Sequence, residues 1–193
     1  MADFNSAVEK TLRWEGGKTT DTGGFTNFGV SHKAYPGLDI ENLTRDGAKS
    51  IYKRDYWEPL NLDAVLDQAS ASALFDFAVN AGISRAKAEA QAALQGAGIQ
   101  ADKGAGLVPA INHLGAAFAT ALTNRRIDFY RALAAKNPSK YGSYLAGWEK
   151  RARSFFSGAA GLAQAAALSP MTWAVLAAAL AGGIWYYNRT KRA

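Results

Sequence analysis

The stretch from Trp14 to Ser31, Trp-Glu-Gly-Gly-Lys-Thr-Thr-Asp-Thr-Gly-Gly-Phe-Thr-Asn-Phe-Gly-Val-Ser, constrains this chain more than any other. Phe4, Val8 and Leu12 precede it at helical spacing and predict a first helix with one apolar stripe. Glu15 follows Leu12 by three positions, so its side chain falls beside that stripe and faces the interior. Gly16-Gly17 is expected to stop the helix just past its last turn. A carboxylate at a helix C-terminus meets the negative end of the macrodipole, and partial burial works in the same direction, toward a protonated acid. A glutamate in that setting has the property a general acid needs. Taken alone, it is as readily an exposed carboxylate ahead of a turn.

The residues after Glu15 sharpen the choice. Asp21 follows across a glycine-rich connection, and Gly23, Gly24 and Gly29 permit backbone with φ > 0 and close approach to a ligand. Phe25, Phe28 and Val30 alternate loosely with polar residues, which predicts a short β-ribbon. Thr26 carries a hydroxyl suited to orient a water between two carboxylates. An acid and a second carboxylate flanking a cleft is the arrangement used for glycoside hydrolysis.

The same residues resemble a known family. Glu15-Gly-Gly, then Asp21-x-Gly-Gly-x-Thr-x-x-Gly-Val-Ser, is similar to the N-terminal signature of glycoside hydrolase family 108. The likeness continues through Leu43-Thr-Arg45, Ile51-Tyr-Lys-Arg-Asp-Tyr-Trp57 and Phe75-Asp-Phe-Ala-Val-Asn-Ala-Gly82. Arg126-Ile-Asp-Phe-Tyr130 and Gly147-Trp148 resemble the family's C-terminal peptidoglycan-binding helices. Two departures stand out: the loop between Gly17 and Asp21 is shorter than usual, and Thr22 replaces a common proline. The resemblance implies a lysozyme-like muramidase, of the kind phage endolysins use to cut the β-1,4 bond between N-acetylmuramic acid and N-acetylglucosamine. It implies Glu15 as the acid, Asp21 as oxocarbenium stabiliser or water activator, and Thr26 as its helper.

Composition narrows the remaining classes. The 193 residues are long enough to bury a core, and an apolar share of 49% with 20% charged residues argues against disorder. With no cysteine and two separated histidines, His32 and His113, neither thiolate zinc sites nor a Ser-His-Asp triad are expected, and neither metal nor cofactor is called for. Residues 1–124 hold 11 Lys/Arg against 14 Asp/Glu, whereas residues 125–153 hold 8 against 2. Basicity is confined to the C-terminal third, where it is either a solvated helix face or a surface for an anionic partner. No nucleic-acid motif accompanies it, so a nucleic-acid partner is not expected.

Downstream, Thr44 is expected to cap a second helix running to Trp57, with Asp46 in its first turn and Pro59 as its stop. Tyr52 reads as core, whereas Tyr56 and Trp57 serve equally as core aromatics or saccharide platforms. A third helix is expected over 64–81, with Leu66, Ala69, Ala73, Phe77 and Asn80 along one stripe. Asn80 then reads as a buried cap or, with the resemblance, as a cleft residue bonding a sugar N-acetyl group. Ser84 is expected to cap an alanine-rich helix to Gln95, Pro109 to open a long helix bent at Gly115, and Asn137 to open a last one.

After Arg153 no charge appears until Arg189, and Pro170 to Tyr187 is uncharged and mostly apolar. Eighteen residues in a helix span about 27 Å, close to the hydrocarbon thickness of a bilayer. Trp185-Tyr-Tyr187 followed by Arg189-Thr-Lys-Arg192 matches an interfacial belt with a positive flank. The alternative is a buried core helix. No signal peptide is expected at Met1-Ala2-Asp3.

The whole therefore reads as a mainly α, lysozyme-like domain with a small β-ribbon after the first helix, plus a C-terminal hydrophobic helix. The expected divisions are a catalytic region over 1–95, a helical continuation resembling a peptidoglycan-binding region over 96–157, and a transmembrane tail over 158–193. The expected partners are peptidoglycan glycan strands and the bacterial inner membrane, and the expected state is a monomer. The enzyme is placed at the host inner membrane through its tail, acting on periplasmic peptidoglycan after a cytoplasmic stage. Substrate contacts are expected from Tyr56, Trp57 and Asn80. A lytic transglycosylase and a non-catalytic wall- or membrane-binding module are the rivals.

Overall fold

The computed structural model describes residues 1–21, 24–101, 104 and 106–156, with the side chains of Thr20, Asp21 and Gly24 outside the description. The expected transmembrane tail lies beyond the described residues. Among the described residues no helix is long and apolar enough to cross a membrane.

Helix α1 (Phe4–Leu12) begins where Asp3 accepts the Ser6 amide at 2.7 Å, and it buries Ala7, Val8, Thr11 and Leu12. It ends earlier than the double glycine. The amides of Trp14 and Glu15 both turn back onto the Thr11 carbonyl, at 2.9 and 3.3 Å, and neither Gly16 nor Gly17 takes a left-handed conformation. A three-stranded antiparallel sheet follows: β1 (Thr19–Asp21), β2 (Gly24–Asn27) and β3 (Val30–Ser31). Thr19 pairs with Thr26, and Thr26 in turn with Ser31. Between Asn27 and Val30 the chain reverses in two residues, Phe28 and Gly29, with φ of 51° and 77°. Two consecutive positive φ values make the tight hairpin whose twist matches the strands, although Phe28 takes a conformation that favours Asn or Gly. Beneath the turn, the buried Asn27 amide donates to the Ile40 and Leu43 carbonyls at 3.1 and 3.2 Å.

Helix α2 (Arg45–Tyr52) starts at Thr44, whose hydroxyl accepts the Gly47 amide at 3.1 Å. It runs into a π-helical turn over Lys53–Trp57 and then two short 3-10 turns. Helix α3 (Gln68–Ala81) is shorter than expected because Asp67 caps it, accepting the Ser70 amide at 2.8 Å. Leu66 is consequently 64% exposed and belongs to no helical stripe. Helix α4 (Ile83–Gly96) follows at once from Gly82, so Ser84 lies inside it rather than at its cap. Gly115, at φ 58° and ψ −140°, does more than bend the next helix: it divides α5 (Val108–Leu114) from α6 (Ala116–Lys136). Asn137 caps the short α7 (Pro138–Tyr141), and α8 (Leu145–Arg153) closes the described chain.

Helix α3 is the axis of the bundle, packing on α1, α4 and α6, while α6 also packs on α4 and α8. Phe75 and Phe77 of α3 are fully buried; Phe75 sits edge-on to Phe4 and Trp57, and Phe77 edge-on to Tyr130. The core is continuous from Val8 to Phe155, across the boundary expected near residue 95. The mainly helical fold with a ribbon after the first helix agrees with the sequence reading.

Candidate active site

Glu15 sits where α1 gives way to the ribbon, with its side chain 19% exposed. Two walls meet there, and each is built by different means. The first wall is backbone. A Cβ placed on Gly29 would lie 2.7 Å from Glu15 Oε2 and closer still to the Tyr52 hydroxyl, so the hairpin tip approaches both groups as only glycine allows. Tyr52 donates its hydroxyl to the Phe28 carbonyl at 2.8 Å, which ties α2 to the turn. Burial raises the Tyr52 hydroxyl above its ordinary range, and the negative charge of Glu15 adds to it. Tyr56 is raised too, first by burial and then by the charges of Asp55 and Glu15. Its ring leans on Tyr52 with centroids 5.9 Å apart.

The second wall is charged and buried. Arg151, on α8, donates from Nη2 to Glu15 Oε1 at 2.6 Å and to Asp76 Oδ1 at 2.8 Å, while its Nε reaches Asp76 Oδ2 at 3.0 Å. Burial alone would lower the Arg151 guanidinium, but the hydrogen bond and charge of Asp76, joined by those of Glu15, hold it above its ordinary value. Asp76 lies on α3 with no exposure, and a second cation, Arg126 on α6, donates to its Oδ2 at 2.7 Å. The Arg126 guanidinium stands over the rings of Phe77 and Tyr130, and its Nε donates to the Tyr130 hydroxyl at 2.8 Å. That hydroxyl donates in turn to Asn80 Oδ1. A continuous chain of polar contacts thus runs from Glu15 through Arg151, Asp76, Arg126 and Tyr130 to Asn80.

Residues 8–82 match the family described as Glycosyl hydrolase 108. The match opens in α1 and closes at the end of α3, so it holds Glu15, Asp76 and Asn80 but leaves Arg126, Tyr130 and Arg151 outside. No curated protein matches the chain. Among seven solved chains that match, the structure of Brucella abortus SagA has a TM-score of 0.58 at 22% identity and covers 81% of this chain and 97% of its own. That likeness speaks for the fold.

The expected site residues scatter in an informative way. Glu15, Tyr56 and Asn80 lie along the two walls just described. Asp21 ends β1, opposite Gly24, with its side chain outside the description. Thr26 sits mid-strand between Thr19 and Ser31, and no hydrogen bond among the described residues joins it to Glu15. Trp57 is a correction: it is fully buried, edge-on to Phe4 and Phe75, with its indole N–H donating to Asp63 at 2.8 Å. No face of it is left for a sugar. Sequence reading missed Arg151, Asp76 and Arg126, although Asp76 in the middle of an apolar helix is a signal, since buried carboxylates need cationic partners.

Proposed function

We propose that this chain is an endolysin-type muramidase that hydrolyses the β-1,4 bond between N-acetylmuramic acid and N-acetylglucosamine. One observation carries the reading. Within the segment that matches glycosyl hydrolase 108, Glu15 is partly exposed, with one carboxyl oxygen fixed by a guanidinium and the other beside a close backbone turn. A positioned, partly exposed carboxyl is what protonation of a leaving glycosidic oxygen requires. Glu15 serves as the general acid. Asp21 is the second carboxylate, stabilising the oxocarbenium charge or activating water with help from Thr26, while Asn80 and Tyr56 contact the saccharide. A carboxyl separation of about 5 Å would give a covalent intermediate, and one of roughly 6.5–9.5 Å leaves room for water.

Mass spectrometry of digested peptidoglycan, wild type against Glu15→Gln, tests the proposal. The expected result is hydrolysed muropeptides with the wild type and loss of cleavage in a folded Glu15→Gln. Products lighter by one water would identify a lytic transglycosylase, and full activity in Glu15→Gln would leave a binding module. The basic residues of 125–153 other than the buried Arg126 and Arg151 are proposed to meet the anionic wall. The stretch from Pro170 to Tyr187 is proposed to hold the enzyme at the inner membrane before release. Fractionation of cells making the full chain or one lacking residues 158–193 checks this, with membrane retention expected of the full chain alone.

A further inference from the structure

We propose that Arg151 is a positioning residue that gives the two carboxyl oxygens of Glu15 different tasks: Oε1 is docked, and Oε2 bears and delivers the proton. The inference rests on Glu15 being the acid. A guanidinium carries donors and no acceptor, so an oxygen bound to it accepts, and a proton placed on that oxygen would weaken the charge-assisted bond. Arg151 Nη2 donates to Oε1 at 2.6 Å, and among the described residues no hydrogen bond joins it to Oε2. The proton is therefore left to Oε2, the oxygen beside Gly29 and the Tyr52 hydroxyl. The Tyr52 proton is directed to the Phe28 carbonyl, so that hydroxyl is not spent on Glu15.

Arg151 is itself immobilised. Its side chain is 8% exposed, and Asp76 grips it through both Nε and Nη2, with Arg126 holding Asp76 from the other side. A paired contact of this kind sets the plane of the guanidinium, and the guanidinium sets the direction of Glu15. Helix α8, outside the family match, thus completes the acid that α1 presents. In the reaction the proton leaves Oε2 for the glycosidic oxygen as the C–O bond breaks and its electron pair stays on that oxygen. Water supplies the hydroxyl to the sugar carbon, and its other proton restores the acid at Oε2, directly or by way of Asp21 and solvent, while Oε1 stays on Arg151 throughout.

The charged and titratable groups around Glu15 are Arg151 from α8, Tyr52 from α2 and Tyr56 from the turn that follows it. Asp76 on α3 and Arg126 on α6 stand one and two links behind, and Lys10 on α1 feels the Asp76 charge. Removing the Arg151 cation removes a favourable charge beside the carboxylate, a change that a pH profile of the variant reads.

The test is a set of pH–rate profiles for peptidoglycan cleavage by the full chain as wild type, Arg151→Gln and Arg151→Lys, each with its melting curve. For Arg151→Gln, kcat should fall by about 100-fold through lost alignment, and the alkaline fall of kcat/KM should move up by at least about one pH unit. For Arg151→Lys, which keeps charge but loses the planar fork, the limb should stay in place while kcat lies between the other two. A folded Arg151→Gln whose limb stays at the wild-type pH overturns the proposal, whatever its rate. Should Arg151→Gln fail to fold, Arg151→Lys decides: wild-type kcat overturns the proposal, and a lowered kcat with a near-normal melting temperature supports it. An active Glu15→Gln would overturn the enzyme reading as well, whereas an inactive one beside an unmoved Arg151→Gln limb sinks the positioning role alone.

Discussion

The ribbon wall and the helical wall both reach Glu15, but they hold it by opposite physics. On the ribbon side the contacts lie nearer in sequence and rest on backbone: a two-residue turn, one glycine at φ 77° and a carbonyl that accepts the Tyr52 hydroxyl from 24 positions on. On the helical side they are long-range and made by charge, with Arg151 arriving from 136 positions away. Backbone sets how closely a neighbour approaches, and a Cβ is enough to spoil it. Buried charge sets direction, and it holds only while every member of the network has a partner. A defect in the first wall should therefore show mainly in catalysis, whereas removing the shared carboxylate of the second should cost folding stability as well as catalysis.

The strongest way to break that contrast is Asp76→Ala. Arg126 and Arg151 would be left in the interior without their shared carboxylate, and loss of one partner from a buried ion pair costs about 3–5 kcal/mol. Denaturant unfolding should show a loss of that size, together with loss of cleavage as Arg151 comes free. Gly29→Ala ranks next. A left-handed alanine costs roughly 1–2 kcal/mol, and its Cβ would press on Glu15 Oε2 and the Tyr52 hydroxyl, while Arg151 fixes that carboxyl through Oε1 and the Phe28 carbonyl accepts that hydroxyl. Melting should shift modestly while kcat falls by about 100-fold. If Gly29→Ala instead unfolds the chain and Asp76→Ala does not, the division between the walls is wrong.

What was legible in the sequence follows the same division. The first helix, the Thr44 cap and the ribbon rest on spacing within a few residues and agree with the structure, although Glu15 lies three residues past the end of α1 rather than on its stripe. A stripe extended back to Leu66 starts α3 too early, because Asp67 caps it, and Asp is a preferred residue at that position. Trp57 was assigned two possible roles because its place at a helix end says nothing of what covers it. Here the covering groups, Phe4 and Phe75, come from two other helices. The Arg151–Asp76 link was out of reach for the same reason: no periodicity relates α3 to α8. The basic run over 125–153 reads as a solvated helix face or a surface for an anionic partner, yet two of its arginines, Arg126 and Arg151, are buried in the interior. Charge counting gives a sum and not a direction.

A smaller test sharpens the ribbon side. Tyr52→Phe keeps the buried ring and deletes one hydroxyl, so the Phe28 carbonyl loses its side-chain donor. The loss of one such bond is about 1 kcal/mol. Thermal unfolding should register it, with cleavage lowered less than in Gly29→Ala because nothing is pushed into Glu15. An unchanged melting temperature would mean that the turn is held by its own backbone and needs no tie to α2.

The smallest effect comes from a carboxylate that has the same count of cationic partners as Asp76. Glu9 on α1 accepts Arg45 at 2.5 Å and Lys49 at 2.6 Å, which joins α1 to α2. The Arg45 hydrogen bond first, and then that of Lys49, pull its carboxyl down to about 2, from an ordinary 4.5. A folded value below the unfolded one means that the stabilisation is complete above about 4.5 and disappears as pH falls through about 2. Asp76 is sealed from water, but the Glu9 side chain is 43% exposed, so water and salt screen the attraction. Glu9→Gln should accordingly lower stability only slightly at neutral pH and low salt. It should flatten part of the acid-side loss between those two pH values, and its effect at neutral pH should fade in high salt. Unfolding curves of both proteins at two salt concentrations and across that pH range measure this. A loss as large as that of Asp76→Ala would mean that burial is not what separates the two carboxylates.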